Sequence, residues 1–401
     1  MASPQPKRIV HYNAGGPEFT GREFQYDAHH VHMIDELRRR GHEVLHVNPA
    51  ALLGRYGTPQ EYGPVTVKAV RDFQAEGGCD MFFATAVDHS FDPQTAREIS
   101  ALGIPTVNLG MDDYSHPYRV EQVTSAFDLV CTTEPANFDI IQSYGAKKLI
   151  HTPFAANPHT FYPSGEESER AFCFVGACYG ARARAIAMLA QAAVPIRVYG
   201  SSPMDIYGEG TSSKSLPAVR ALFAYRDGWH RVVNSLKFAS GRACVRGALK
   251  RTVQNVFMDL PEKHPKAGDV EYRPGPSYAD MPDVFGSTAL SLGSIELAST
   301  FVLKQPLYFL RFREFEAAMS GAAHVVNASR ELMQYFEADR EMIFFETFDE
   351  LVDKGRFWLD PRNDTARKAI REGARKRALG EHTWTHRFQQ MFDAMGVPTK
   401  V

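Results

Sequence analysis

The chain has 401 residues, 44% of them hydrophobic and 23% charged, with a net charge of −2, as in an ordinary globular protein of two or three domains. That balance gives no whole-protein argument for nucleic acid, and no apolar run approaches the roughly 18–20 residues of a membrane span. The five cysteines (Cys79, Cys131, Cys173, Cys178 and Cys244) include no CxxC pair, which fits reduced thiols and argues against a disulfide frame or a zinc site.

The N-terminal stretch MASPQPKRIVHYN has no apolar segment after its basic pair, so no signal peptide is expected. A strand is predicted over 8–13, broken by Ala14-Gly15-Gly16-Pro17. Residues 23–40 read as a helix with basic residues at its end and Gly41 as its stop. Further strands are expected at 43–47, 81–84, 105–109, 127–131 and 148–151, with helices at 93–102 and 135–143. Alternation of this kind predicts a parallel sheet with helices on both faces.

Residues 152–166 are rich in proline and polar side chains and read as a linker. The rhythm restarts with a strand at 171–176, a helix at 181–192 and a strand at 196–200, so a second doubly wound domain is expected from about residue 166. Ligands of such sheets bind beyond the carboxyl ends of strands, and with two domains the cleft between them is the default site.

The second domain contains an unusual block at 214–251. Lys214, Arg220, Arg226, Arg231, Lys237, Arg242, Arg246, Lys250 and Arg251 face a single acid, Asp227. Trp229, Val232, Val233 and Leu236 sit among them at helical spacing, and Val270-Glu271-Tyr272 resumes the strand pattern afterwards. We read a basic helical insertion within about 205–266. Arg242, Arg246 and Lys250 recur every four residues, which aligns them on one helix face. The block predicts contact with an anionic membrane, a lipid-linked acceptor or a nucleic acid, against the plainer alternative of a solvated face.

Three short motifs could carry chemistry. In FVGACYGARAR (174–184) a strand ends at Gly176, a small turn containing Tyr179 follows, and Arg182 and Arg184 open a helix. Backbone there could approach a phosphate held by helix amides and arginine; the alternative is an ordinary turn with solvated arginines. In RFREFEAAMSGAAHVV (311–326), charge crowds directly before small residues and a strand-like end. If Glu316 opens a helix, its carboxylate could accept both hydroxyls of a ribose while Arg313 meets a diphosphate; the alternative is a capped surface helix. In MDDYSHPYR (111–119), Asp112 and Asp113 follow a strand and could accept a proton or hold sugar hydroxyls, against a helix cap. They are adjacent, not a DxD, so a metal-diphosphate site is not indicated. His29, His30 and His32 lack a His-x3-His face and read as ordinary helix histidines. No serine has a GxSxG setting, so a hydrolase triad is unsupported.

Taken in order, several segments resemble the CgeB-like (spore-maturation-type) glycosyltransferases, relatives of the family 4 retaining enzymes. GIPTVNLGMDDYSH (103–116) resembles that family's strand ending in paired aspartates. The stretch 127–163 resembles the end of its first domain and its linker, and 174–184 its phosphate loop. FREFEAAMSGAAHVV resembles its Arg-x-Phe-Glu helix start, here Arg313, Phe315 and Glu316. EHTWTHRFQQMF (381–392) resembles its final helix.

The resemblance implies a GT-B fold: two Rossmann-like doubly wound α/β domains facing a cleft. Residues 1–160 would bind acceptor, joined by the C-terminal helix of 381–401 crossing back, and 166–380 would bind a nucleotide sugar. Glu316 would hold the donor ribose, and Arg182 and Arg313 would neutralise its diphosphate beside Gly176 and Tyr179. Asp112 and Asp113 would serve the acceptor side. The implied activity is sugar transfer from a UDP- or GDP-linked donor to a glycan, lipid-linked, small-molecule or nucleic-acid acceptor. No metal or resident cofactor is expected, and the anomeric configuration would be retained. Family 4 has a second glutamate eight positions earlier, on the sugar side; that position is Tyr308 here. An epimerase or phosphorylase on the same fold, or an inactive nucleotide-sugar-binding protein, are the alternatives. A cytoplasmic location is expected, with peripheral contact at the inner membrane face as an open reading.

Overall fold

The computed structural model describes residues 6–13, 28–111, 116–200, 233–234, 236–258, 260 and 270–397. The chain forms two compact units, Met1–Thr160 with Glu381–Val401, and Phe161–Gly380.

In the first unit, β1 (Arg8–Tyr12) leads through a π-helical turn at His30–Ile34 into α1 (Asp35–Arg39). There follow β2 (Glu43–Val47), α2 (Pro49–Tyr56), α3 (Pro59–Gly77), β3 (Met81–Ala84), α4 (Pro93–Ala101), β4 (Thr106–Gly110), β5 (Leu129–Thr132), α5 (Phe138–Ser143) and β6 (Leu149–His151). The strands pair in parallel in the order β2-β1-β3-β4-β5-β6. Every residue of β3, β4 and β5 is buried, as expected where helices cover both faces of a parallel sheet. The order reverses between β1 and β3, the crevice-forming point of such sheets.

Helices α2 and α3 occupy a stretch for which no element is expected above. The start signal was in the sequence: Thr58-Pro59-Gln60-Glu61, where the Glu61 carboxylate accepts from the Thr58 amide at 2.6 Å. Gly63 and Pro64 inside α3 obscure the helical pattern that follows.

In the second unit, β7 (Glu169–Val175), α6 (Ala181–Gln191), β8 (Ile196–Tyr199), α7 (Ala239–Phe257), β9 (Val270–Arg273), α8 (Met281–Ser287), β10 (Thr288–Leu292), α9 (Phe312–Met319), β11 (His324–Asn327), α10 (Leu332–Tyr335), β12 (Ile343–Phe345), α11 (Phe348–Leu359) and α12 (Asp364–Glu381) follow one another. Their sheet is again wholly parallel, in the order β12-β11-β10-β7-β8-β9. Helix α7 lies within the stretch expected as a helical insertion, about 205–266; positions 214–232 and 235 of the basic block lie outside the described residues.

Arginines four apart tie α12 to this sheet. Arg367, 2% exposed, binds Glu167 and the Trp358 carbonyl; Arg371 donates to Gly321 and Gly286 carbonyls at 2.7 and 3.0 Å; Arg375 donates to Phe161 O at 2.8 Å. These are structural contacts: each guanidinium satisfies backbone carbonyls.

The last helix, α13 (Trp384–Met395), belongs to the first unit. The buried Glu36 carboxylate on α1 accepts from the amides of Trp384 and Thr385 at 3.1 and 2.9 Å, capping α13. Arg387 donates to the carbonyls of Pro153 and Phe154, and the Phe388 ring meets Phe83 of β3 edge-on at 5.1 Å. Among the described residues no helix is long and apolar enough to cross a membrane.

Candidate functional site

In the second unit, β7 and β10 end on glycines. Gly176 follows β7 with φ +146°, a conformation that side chains rarely adopt, and lies so close to Gly200 that a Cβ on the latter would stand 2.2 Å from the Gly176 carbonyl. Gly293 follows β10, and a Cβ there would lie 2.4 Å from the His324 ring. Bare backbone at both strand ends leaves room for a pocket of about 210 Å³. Its lining includes Gly176, Arg182, Gly293, Ser294, Arg311, Arg313, Glu314 and Glu316.

The 311–316 stretch supplies much of one wall. Arg311 is extended, and the Glu314 carboxylate accepts from its amide at 2.8 Å, so the helix starts at Phe312. This corrects the expectation that Glu316 opens the helix. Glu316 is its fifth residue, in the second turn, because Glu314 takes the capping position. Both carboxylates are 1% exposed, which rules out a solvated face for them. Glu316 forms an ion pair with Arg313 at 2.6 Å, and the same guanidinium contacts Met281 Sδ at 2.7 Å. The expected ribose and diphosphate ligands are thus brought together as a pair, one helical turn apart.

Arg182 stands in the first turn of α6, after Gly180 at φ +59°. Its guanidinium lies over the Tyr179 ring at 4.7 Å and donates to Ala177 O at 3.2 Å. Tyr179, 39% exposed, is this platform. Burial, reinforced by the charge of Arg311, pushes Arg182 down to about 10. Burial likewise raises Glu314, against the opposing pull of Arg311. Three guanidinium groups facing two carboxylates leave the pocket with excess positive charge. A guanidinium depressed by burial beside another arginine is stabilised by an arriving anion.

Sequence reasoning gave no role to Arg311, Ser294 or Glu296. Arg311 donates to Ser294 O at 2.8 Å, fixing the loop after β10. Glu296, 8% exposed, accepts from the Ser294 hydroxyl at 3.1 Å and the Asn327 amide at 2.6 Å. It faces Tyr308 across an isolated antiparallel bridge. A carboxylate therefore stands opposite the position where the resembled family carries its second glutamate. The available signal was Gly293-Ser294 directly after the apolar run 289–292; the partnership with Asn327 is too distant in sequence to read.

Below the pocket, His324 is fully buried, with its Nδ1 3.1 Å from the Ser291 hydroxyl. Burial and the charge of Arg313 push it down to about 3, so it is neutral at physiological pH. Asp112 and Asp113 lie outside the described residues, just beyond the end of β4. Among the described residues no group of three or more His, Cys, Asp or Glu side chains could hold a metal ion.

Residues 230–393 match the family model described as glycosyl transferase-like. No curated protein matches the sequence. Among solved structures, an alpha-glucosyltransferase in complex with UDP and a 13-mer DNA containing a HMU base has a TM-score of 0.58 at 12% identity, covering 98% of this chain and 100% of that one. HepE of Anabaena in complex with UDP-glucose has a TM-score of 0.55 at 13% identity, over 98% and 100%. A glycosyltransferase from Rickettsia africae has a TM-score of 0.56 at 8% identity, over 97% of each chain. At these identities the likeness is one of fold.

Proposed function

We propose that this chain is a glycosyltransferase that takes its sugar from a nucleoside diphosphate donor seated in the pocket of the second unit, with UDP as the first nucleotide to test. The observation that carries the reading is the convergence of Arg182, Arg311 and Arg313 on a small pocket at the carboxyl ends of β7 and β10. That is where ligands of doubly wound sheets bind. The UDP-bound neighbours of the same fold support it.

In this reading the diphosphate lies against Gly176 and the guanidinium groups, and Glu316 receives the ribose hydroxyls. Glu316 also holds Arg313 in place. As the bond between sugar and diphosphate breaks, negative charge develops on the leaving group, and the preformed arginines stabilise it without reorganisation. They serve the purpose a divalent metal serves elsewhere, so transfer is metal-independent. The acceptor hydroxyl binds the first unit, with Asp112 or Asp113 receiving its proton. Attack from the face the diphosphate leaves retains the anomeric configuration. The order of the sequence motifs supports a CgeB-like subtype.

The test is to incubate the purified chain with a panel of UDP- and GDP-sugars and measure nucleoside diphosphate release with and without candidate acceptors. Release from one donor, raised by an acceptor, supports the proposal. Tight nucleotide binding without turnover points to a regulatory binding protein instead.

A further inference from the structure

We infer that α7 is a docking surface for an anionic lipid bilayer. The inference is independent of the donor pocket, whose lining includes no residue of α7.

A glycine seats the helix. Gly247 is buried, and a Cβ there would lie 2.7 Å from Ser299 O, so its side of the helix packs directly on the turn at Thr300–Val302. Arg251 stacks over Phe301 at 5.4 Å, and Lys250 donates to Val302 O. The helix is therefore held on a definite side, and the opposite side meets solvent.

What it presents there is unusual. Leu249, Val253, Val256 and Phe257 are 65%, 56%, 68% and 81% exposed. Their spacing of i, i+4, i+7 and i+8 puts them on one face. Half of the large apolar side chains exposed among the described residues fall between Val233 and Met258. Monomeric proteins rarely leave such a contiguous patch uncovered without a partner.

Charge identifies the partner. Arg242, Arg246 and Lys250 are exposed at four-residue intervals, and no acidic residue occurs from 236 to 258. The helical angles of Arg242 and Arg246 fall within the arc of the apolar residues, and Lys250 stands at its edge toward the packed side, so two of the three cations share the apolar face. That arrangement suits a bilayer interface: aliphatic groups enter the acyl boundary while arginine and lysine stems reach up to anionic headgroups. Nucleic acid would match the cations but offer nothing to leucine and valine, which neither stack on bases nor bond their edges.

The test uses the full chain and co-flotation with vesicles of phosphatidylcholine, with and without phosphatidylglycerol, over a range of salt. Two variants accompany it: Arg242→Gln with Arg246→Gln, and Val253→Ser with Val256→Ser and Phe257→Ser. All these side chains are exposed, and Arg242 gives up only exposed bonds to the Leu236 and Lys237 carbonyls, so the thermal midpoint should fall slightly in the arginine variant and stay at the wild-type value in the apolar one. The wild type should float with anionic and not with neutral vesicles. Neutralising each arginine should weaken partitioning about fivefold. The apolar variant should lose flotation even with its charges intact. Absence of flotation with anionic vesicles at low salt overturns the inference. So does unchanged flotation of the apolar variant, or tighter binding to duplex DNA with a steep salt slope, which would make the surface a nucleic-acid contact.

Discussion

Replacing Glu316 with glutamine keeps the side chain's shape and removes its charge. In the structure this carboxylate is 1% exposed and lies 2.6 Å from an Arg313 guanidinium whose side chain is 24% exposed. Two effects follow in opposite directions. The ribose hydroxyls lose a charged acceptor, a loss worth about 1.5–3 kcal/mol. The diphosphate meanwhile gains from an Arg313 released from its partner. Comparing UDP with 2′-deoxy-UDP separates them, because both ligands carry the same diphosphate and the second effect cancels in their ratio. Calorimetric titration of the wild type should show UDP preferred by roughly 10- to 150-fold, the range that 1.5–3 kcal/mol converts to. In Glu316→Gln that preference should shrink toward unity. An unchanged ratio would refute the ribose role. A destabilised variant would not disturb the comparison, since the ratio is taken within one protein. A cycle with Arg313→Met would report the coupling across the ion pair.

Three further outcomes are expected. Arg182→Met should weaken UDP far more than uridine, by about 1.5–3 kcal/mol, and transfer by the wild type should survive EDTA; loss restored by magnesium would contradict the arginine account. Asp112→Asn or Asp113→Asn should lower sugar transfer while leaving the UDP dissociation constant unchanged in calorimetry. For His324, pushed down to about 3 in the fold, the unfolded chain takes up the proton near pH 6.5, so stability falls as the pH drops below 6.5. The loss should reach about 2 kcal/mol at pH 5 and continue toward pH 3, and urea unfolding of His324→Asn should show a flatter slope with pH than the wild type.

The first sheet was legible because its strands are short, nearly continuous apolar runs, such as Met81–Ala84 and Leu129–Thr132, separated by turn residues, whereas Thr288–Leu292 and Ile343–Phe345 of the second sheet were not expected. Helices α2 and α3 were not, since Gly63 and Pro64 interrupt the periodicity that Thr58 and Glu61 announce. Around the pocket, the short-range pattern Arg-x-Phe-Glu gave the residues but not their geometry. Which of Glu314 and Glu316 caps the helix depends on a single hydrogen bond to the Arg311 amide. The carboxylate of Glu296 was invisible for another reason. Its partners Asn327 and Tyr308 come from the end of another strand and from a bridge formed only on folding.

The most direct test of the central claim is amide hydrogen exchange of the full chain with and without saturating UDP, in the presence of EDTA. The account predicts slowed exchange in peptides covering 174–182, 293–296 and 311–319, where backbone and side chains line the pocket. No protection at saturating UDP, or protection confined to the first unit, would contradict it.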